Sequence, residues 1–260
     1  MTKGSSRVVR AVAASATLFV VCAAWWLLTD VTHAISAGRF PGPSDVMKAA
    51  IQIGKPPGYG GAVIWAHVGA SLALVTAGFI VAAATGVPLG LAMGRSRRIE
   101  AFLNPVFLTI RPIPPLAWIP LAIVWFGLGP VAKIFVVWFA AFVPSSINTY
   151  AGVRNVDPVL IAAARVHGAS EARVLSKVIF PASLPMIFSG LRLSLQASWT
   201  TLVAAELVGA FIGLGHVLTV ASTDIYPGMI FYAMAWVALC GSLMTVALGI
   251  AERRATPWLR

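Results

Sequence analysis

Six long runs of apolar residues dominate the chain, and shorter polar or turn-forming segments separate them. The runs lie at about Val8–Thr29, Val63–Gly94, Phe102–Phe126, Val131–Tyr150, Leu184–Phe211 and Gly228–Ile250. A helical bilayer crossing needs about 20 mostly apolar residues, and none of these runs shows the two-residue alternation of a barrel strand. The pattern therefore predicts an all-α integral membrane protein with about six transmembrane helices.

Composition and charge agree with this prediction. Hydrophobic residues make up 59% of the chain and charged residues only 10%, whereas soluble domains carry about 25% charged residues. The net charge is +11, and most of the basic residues lie on alternate loops. These are Lys3, Arg7 and Arg10; Arg95, Arg97 and Arg98; Arg154, Arg165, Arg173 and Lys177; and Arg253, Arg254 and Arg260. The positive-inside rule places both termini in the cytoplasm, so the basic charge indicates membrane topology and lipid contact rather than a nucleic-acid partner.

The first run begins like a secretory signal peptide but continues through the bulky residues 25–28. A cleavage site normally requires small residues, so we predict an uncleaved first transmembrane helix. An external segment, residues 30–61, then connects it to the second run. In this segment Ser44 is a candidate N-cap for a short helix through Met47 and Ala50.

Three glycines, Gly86, Gly90 and Gly94, recur at four-residue spacing near the end of the second run. Small residues at this spacing let another transmembrane helix approach closely. We predict that the glycines form a packing face. A direct role in transport is the alternative.

The third run is interrupted by Arg111-Pro112-Ile113-Pro114-Pro115. Proline removes backbone donors, and the freed carbonyls are tolerated at membrane depth only beside protein or a water-filled cavity. If Phe102 marks the membrane edge, Arg111 lies about 13 Å inside. Arg111 and Pro114 are therefore candidates for the route of an anionic solute. The alternative is that Arg111 extends to the cytoplasmic interface from a tilted helix.

Three further residues within the runs are candidates for the same route. Glu206 is an acidic residue well inside the fifth run, 22 positions beyond Leu184, which predicts a locally hydrogen-bonded carboxylate near the outer edge rather than a partner of Arg111. Trp118 and Trp199 could stack on a solute, or could simply face lipid or pack against other helices.

A polar hairpin separates the fourth and fifth runs. Asp157 and Pro158 form a helix start, and Gly168 suits the left-handed position that ends the helix. Ser170 is a candidate N-cap for a second short helix, which we expect Pro181 to end. Both short helices have apolar stripes, which need a cover. The cover is either another protein or the lipid headgroup surface.

A family resemblance favours another protein as the cover of these apolar stripes. The hairpin carries a spaced set of residues: Ala163, Ala164, Gly168, Val178 and Pro181. This set resembles the EAA loop of permease subunits of bacterial ATP-binding-cassette (ABC) importers, except that Ala162 replaces the leading Glu of the family. Residues 110–121, 199–206 and 256–258 resemble the nitrate/sulfonate/taurine branch of these permeases.

The resemblance implies a type I ABC-importer permease fold in the bacterial inner membrane. Residues 1–62 would form the first transmembrane helix and external segment, and residues 63–260 the permease core, with a coupling-helix loop at 155–181. The implied partners are a second copy of the chain, two ATPase subunits and an extracytoplasmic solute-binding protein. The implied ATPase-coupling residues are Ala162, Ala163, Ala164, His167, Gly168, Ala169, Ser170 and Pro181.

The implied function is the translocation of a small anionic or zwitterionic solute, taurine or another aliphatic sulfonate, without catalysis by this chain. The chain has no G-x-x-x-x-G-K-[ST] phosphate loop, so ATP and magnesium are expected in the partner ATPase, and neither a cofactor nor a metal is expected here. The alternative is a secondary transporter or channel for a small anion that uses Arg111 and Glu206 without ATP. Such proteins often contain inverted repeats, and none is evident. A non-transporting scaffold would leave the broken third run unexplained.

Overall fold

The computed structural model describes residues 3–36 and 38–259, and these are almost entirely helical. The basic side chains of Lys3, Arg7, Arg10 and Arg260, which enter the charge argument, lie outside the described part. The helices are α1 (Lys3–Trp26), α2 (Pro43–Gly54), α3 (Ile64–Arg95), α4 (Arg97–Ile110), α5 (Ile119–Phe126), α6 (Pro130–Arg154), α7 (Pro158–Val166), α8 (Glu171–Val174), α9 (Phe180–Gly209), α10 (Leu214–Thr223) and α11 (Pro227–Ala255). A π-helical segment, Leu27–Val31, extends α1, and another, Leu175–Ile179, joins α8 to α9.

Four of the described helices are long and apolar enough to cross a membrane: α3, α6, the continuous helix Glu171–Gly209, and α11. The third predicted run forms two helices that meet at 85°, α4 and the segment Pro115–Phe126, so the count is five when this pair is one broken span. This bend confirms the predicted break at Arg111–Pro115. The helix breaks there because successive prolines have no backbone N–H to donate. The first run contains a shorter apolar helix, Ser15–Val31.

Helices α3 and α6 run parallel and pack along the predicted glycine stripe. A Cβ atom on Gly90 would lie 2.5 Å from the Ser146 carbonyl oxygen, and one on Gly94 would lie 2.5 Å from Val153 Cβ. Gly86 faces the Ser145 hydroxyl in the same way. The predicted packing face is confirmed, since any side chain at these positions would separate the two helices.

We expect Gly90→Ala to destabilise the protein by about 2 kcal/mol, because its methyl group meets backbone that cannot move independently. Gly69→Ala is the matched control, since nothing lies within 4 Å of a Cβ atom at this position of the same helix. That change should be neutral or stabilise by up to about 1 kcal/mol through helix propensity. Thermal unfolding of both variants in detergent measures the difference, and equal melting temperatures would contradict the packing argument.

Helix α9 packs antiparallel against α6 and completes a three-helix core. The Ser194 hydroxyl donates to the Ala141 carbonyl at 2.6 Å, and Gly190 and Gly152 sit against Asn148 and Met186. Helix α11 also runs antiparallel to α9. The ends of α3, α6 and α11 and the start of α9 therefore share one end of the bundle, called the loop end here, and α10 lies at the opposite, far end.

The external segment contains the predicted short helix as α2, but its cap differs from the prediction. Ser44 is not the N-cap. The helix begins at Pro43, with Gly42 before it, and the Asp30 carboxylate accepts from the Ser44 backbone N–H at 3.1 Å and the Ser44 hydroxyl at 2.9 Å. A residue 14 positions earlier thus satisfies the helix start, which local spacing could not reveal.

Candidate coupling loop and translocation pathway

The loop between α6 and α9 is built around a capped helix, α7. The Asp157 side chain accepts from the Val159 N–H at 2.8 Å, and Pro158 occupies the first helical turn. At the other end Gly168 has φ +75°. The Ala169 N–H donates to the Ala164 carbonyl and the Gly168 N–H donates to the Arg165 carbonyl, which together form a Schellman motif. The predicted caps of this helix are confirmed.

The second half of the hairpin differs from the prediction. Ser170 occupies the N-cap position of α8, but its side chain makes no capping hydrogen bond. Pro181 does not end a helix, because α8, the π-helical segment and α9 form one continuous helix over Glu171–Gly209. The wider π turn at Leu175–Ile179 ends two residues before Pro181. There the hydrogen-bond register changes, so the missing N–H and the ring are accommodated.

The loop presents apolar side chains to its surroundings. None of the α7 residues is buried, and Val159 and Val166 are 69% and 86% exposed. Among the expected coupling residues, the exposed ones are Ala162, Ala163, His167, Gly168 and Ser170. Ala164 and Ala169 are instead half-buried and pack against a hydrophobic cluster that consists of Val153, Val156, Val174 and Ile179. Pro181 is half-buried at the base of α9.

An acidic residue links this loop to the bundle. Glu171 accepts from Arg165 of α7 at 3.0 Å and also pairs with Arg95 at the end of α3. Three elements thus meet at one carboxylate at the loop end. Because the side chains are substantially exposed, the pairs contribute little stability individually, and their effect is to orient the loop.

A cavity of about 600 Å³ lies between the broken span, α6 and α9. We call it the Arg111 cavity. Arg111 and Pro114 line it from the broken span, so the structure brings these two predicted pathway residues together. Arg111 also lines two smaller adjoining cavities. No described carboxylate lies within ion-pair distance of its guanidinium.

Four polar side chains that were not candidates for the pathway line the same cavity: Asn148 from α6, and Gln196, Thr200 and Thr201 from α9. Asn148 donates to the Pro144 carbonyl at 2.9 Å, and Thr200 donates to the Gln196 carbonyl at 3.1 Å. Their signal in the sequence is weak. Gln196 and Thr200 are four residues apart, one helical turn, within an otherwise apolar run.

The two candidate tryptophans lie elsewhere. Trp118 is half-buried and packs against Phe139, with ring centroids 4.5 Å apart. Trp199 is buried and lines a neighbouring cavity of about 570 Å³ between α9 and α11. Neither lines the Arg111 cavity, although the neighbouring cavity shares Gln196 and Thr200 with it.

Glu206 is buried at the far end of α9, in a network that holds the start of α10. Its carboxylate accepts from the Ser71 hydroxyl at 2.8 Å and from the Gly215 N–H at 2.8 Å. The Ser71 hydroxyl in turn accepts from the Leu214 N–H. The expected local hydrogen bonding of Glu206 is therefore confirmed, and Glu206 does not line the Arg111 cavity.

Histidine and tyrosine extend this network toward the external segment. The Gly213 N–H donates to His67 Nδ1, which leaves Nε2 to donate to the Tyr59 carbonyl at 2.9 Å. The Tyr59 hydroxyl donates to Asp224 at 2.6 Å. Burial, and then the bond to Asp224, raise the pKa of Tyr59 above its ordinary value. In the described part of the chain no three His, Cys, Asp or Glu side chains are grouped to hold a metal ion.

Comparisons with known proteins place these features in a family. The model of the family described as "Binding-protein-dependent transport system inner membrane component" matches residues 86–260. The taurine transport system permease protein TauC of Escherichia coli strain K12 is 38% identical over 242 residues, which cover 93% of this chain and 88% of that protein. The putative aliphatic sulfonates transport permease protein SsuC of Bacillus subtilis strain 168 is 36% identical over 195 residues, or 75% and 71% of the two chains.

A solved structure supports the fold independently. A chain of the MetNI methionine ABC transporter, in an inward-facing conformation, superposes with a TM-score of 0.65 at 19% identity. The match covers 74% of this chain and 97% of that chain. At this identity the match establishes the fold alone, which is that of a type I ABC-importer permease.

Proposed function

Because this chain belongs to the binding-protein-dependent transport system inner membrane components, we propose that it carries taurine or another aliphatic sulfonate across the membrane. It is a multi-pass, inner-membrane permease component of an ABC importer. The names of TauC and SsuC support the choice of solute, since they refer to taurine and aliphatic sulfonates. The guanidinium of Arg111 lies in a cavity between spans and pairs with no carboxylate among the described residues, which supports an anionic solute.

We infer that α7 couples this permease to an ATPase, mainly because the helix is capped at both ends and exposed. Its apolar side chains need a cover, and two caps with an ion-paired Glu171 make it rigid enough to transmit a displacement. A cytoplasmic ATPase would bind this surface through Ala162, Ala163, His167, Gly168 and Ser170, while Ala164, Ala169 and Pro181 would hold the loop on the bundle. ATP and magnesium would bind to that ATPase, and this chain would hold no cofactor.

The proposed assembly contains two copies of this chain, two ATPase subunits and an extracytoplasmic solute-binding protein. In it residues 63–260 form the permease core, and residues 1–62 form the first span and its external connection. Both termini would face the cytoplasm, because the described basic residues that follow α3, α6 and α11 share the loop end. ATP binding would close the ATPase pair, move α7 and open the spans toward the binding protein.

Proteoliposomes test the proposal against ATP-independent transport. We expect labelled taurine uptake when permease, ATPase, loaded binding protein and ATP are all present, and none when the ATPase is omitted. Uptake that continues without the ATPase would favour the secondary transporter or channel. Absence of uptake for every sulfonate, while the binding protein stimulates ATP hydrolysis, would contradict the proposed solute.

Arg111→Ala should lower uptake at least about tenfold, because the loss of one charge-assisted contact to an anion costs about 1.5–3 kcal/mol. Assembly with the ATPase should be unchanged, since Arg111 lies away from the loop. The control is Arg254→Ala, which removes an exposed positive charge from the last turn of α11. Normal uptake by Arg111→Ala would leave Arg111 as an interfacial residue outside the pathway.

A further inference from the structure

We propose that the Arg111 cavity recognises only the anionic group of its solute, and that Gln196 is the position that determines whether an ammonium group is also recognised. The inference rests on the proposed function, because it assumes that the solute passes through this cavity. It adds a rule of specificity for the permease itself. The selection of an amino group would then depend on the binding protein alone.

The Arg111 cavity has an uneven charge distribution. Of the described residues that line it, Arg111 alone is charged, and the rest of the wall consists of prolines, aliphatic residues and neutral polar side chains. A guanidinium offers donors in a planar fork that matches two oxygens of a carboxylate or sulfonate. An anionic group therefore has a well-defined partner.

An ammonium group has no equivalent partner. Among the described contacts the side-chain amide of Gln196 has no hydrogen-bond partner within the protein, and this side chain is exposed to the cavity. Its oxygen can accept from an ammonium group, but a neutral amide cannot offset a positive charge that leaves water. Asn148 has the same limitation, and its amide already donates to the Pro144 carbonyl. A zwitterion thus gains little over the corresponding simple anion.

A single near-isosteric substitution tests this rule. Gln196→Glu places a carboxylate in the cavity, where it repels an anion but attracts an ammonium group. The probes are taurine and ethanesulfonate, which share the sulfonate and differ in the amino group. We expect Gln196→Glu to lower ethanesulfonate uptake about tenfold and taurine uptake about threefold or less, so the uptake ratio shifts toward the zwitterion.

Uptake is measured in proteoliposomes that contain the complete importer and saturating binding protein. The same binding protein delivers both solutes to every variant, so a change in the ratio arises in the permease. The matched control is Gln52→Glu, the same change at an exposed position of α2 away from the cavity, which should leave the ratio unchanged. Asn148→Asp is a second test, and we expect it to shift the ratio in the same direction.

The inference is overturned if the ratio is unchanged in Gln196→Glu, whatever Asn148→Asp does, or if Gln52→Glu shifts it equally. A wild-type complex that shows no ATP-dependent uptake contradicts the proposed function instead. ATP-dependent uptake by the wild type with an unchanged ratio in the variants contradicts the specificity rule alone. The two failures are therefore distinguishable.

Discussion

Val166→Asp should prevent this permease from binding its ATPase while leaving the permease itself folded. Val166 is the last residue of α7 and is 86% exposed, so a carboxylate there remains hydrated in the isolated subunit. In an ATPase cleft the same carboxylate would lose its water without gaining a partner. We expect that to cost about 3 kcal/mol or more, which corresponds to at least about a hundredfold weaker binding.

Co-purification and ATP-driven uptake measure this effect. Val166→Thr is the near-isosteric control and should retain most of the binding, because it adds a hydroxyl group but no charge. Ile225→Asp introduces the same charge at a position that is 79% exposed at the far end of the bundle, and it should leave ATPase binding intact. If Val166→Asp binds the ATPase as the wild type does, the cover of α7 is the lipid headgroup surface instead.

Glu206→Ala should destabilise the protein by about 3 kcal/mol, because it leaves the buried Ser71 hydroxyl and Gly215 N–H without their acceptor. The start of α10 would lose its attachment to α9. We therefore expect a lower melting temperature in detergent and faster hydrogen exchange over Leu214–Thr223. Glu206→Gln keeps one acceptor oxygen and should lose less stability.

Glu171→Ala is the control for stability, since Glu171 is 56% exposed and its ion pairs contribute little to the free energy of unfolding. Its melting temperature should remain close to that of the wild type. If Glu206→Ala were as stable as the wild type but lost uptake, the carboxylate would belong to the translocation pathway rather than to an internal cap.

The elements predicted correctly depend on signals that act over a few neighbouring residues. The apolar runs predicted the positions of α3, α6, α9 and α11. The affinity of each side chain for lipid depends little on residues far away in the chain. The caps of α7 followed from Asp157, Pro158 and Gly168 for the same reason: an N-cap side chain and a left-handed glycine act within one turn. The family-like spacing of the loop is also a local pattern.

Two predicted helix ends were wrong, because a distant residue satisfies one and a change of hydrogen-bond register removes the other. Ser44 looked like an N-cap, but Asp30 satisfies the start of α2 from 14 residues away. Pro181 looked like a helix end, but the π turn before it lets the helix continue. Periodicity in the sequence contains no information on such a change of hydrogen-bond register.

The sequence by itself thus determined the class of the protein, the order of its long apolar helices, and the capped helix α7 between the fourth and fifth runs, since all of these follow from local chemistry. It did not fix the number of spans, because the structure has four long apolar helices, or five with the broken pair, where the runs predicted about six. Only the tertiary structure decided which polar groups meet. It placed Glu206 in a cap with Ser71, 135 residues away, and brought Arg111 to one cavity with Asn148 and Gln196 from two other helices. The physical reason is that a cap or a cavity exists only where separate helices pack together.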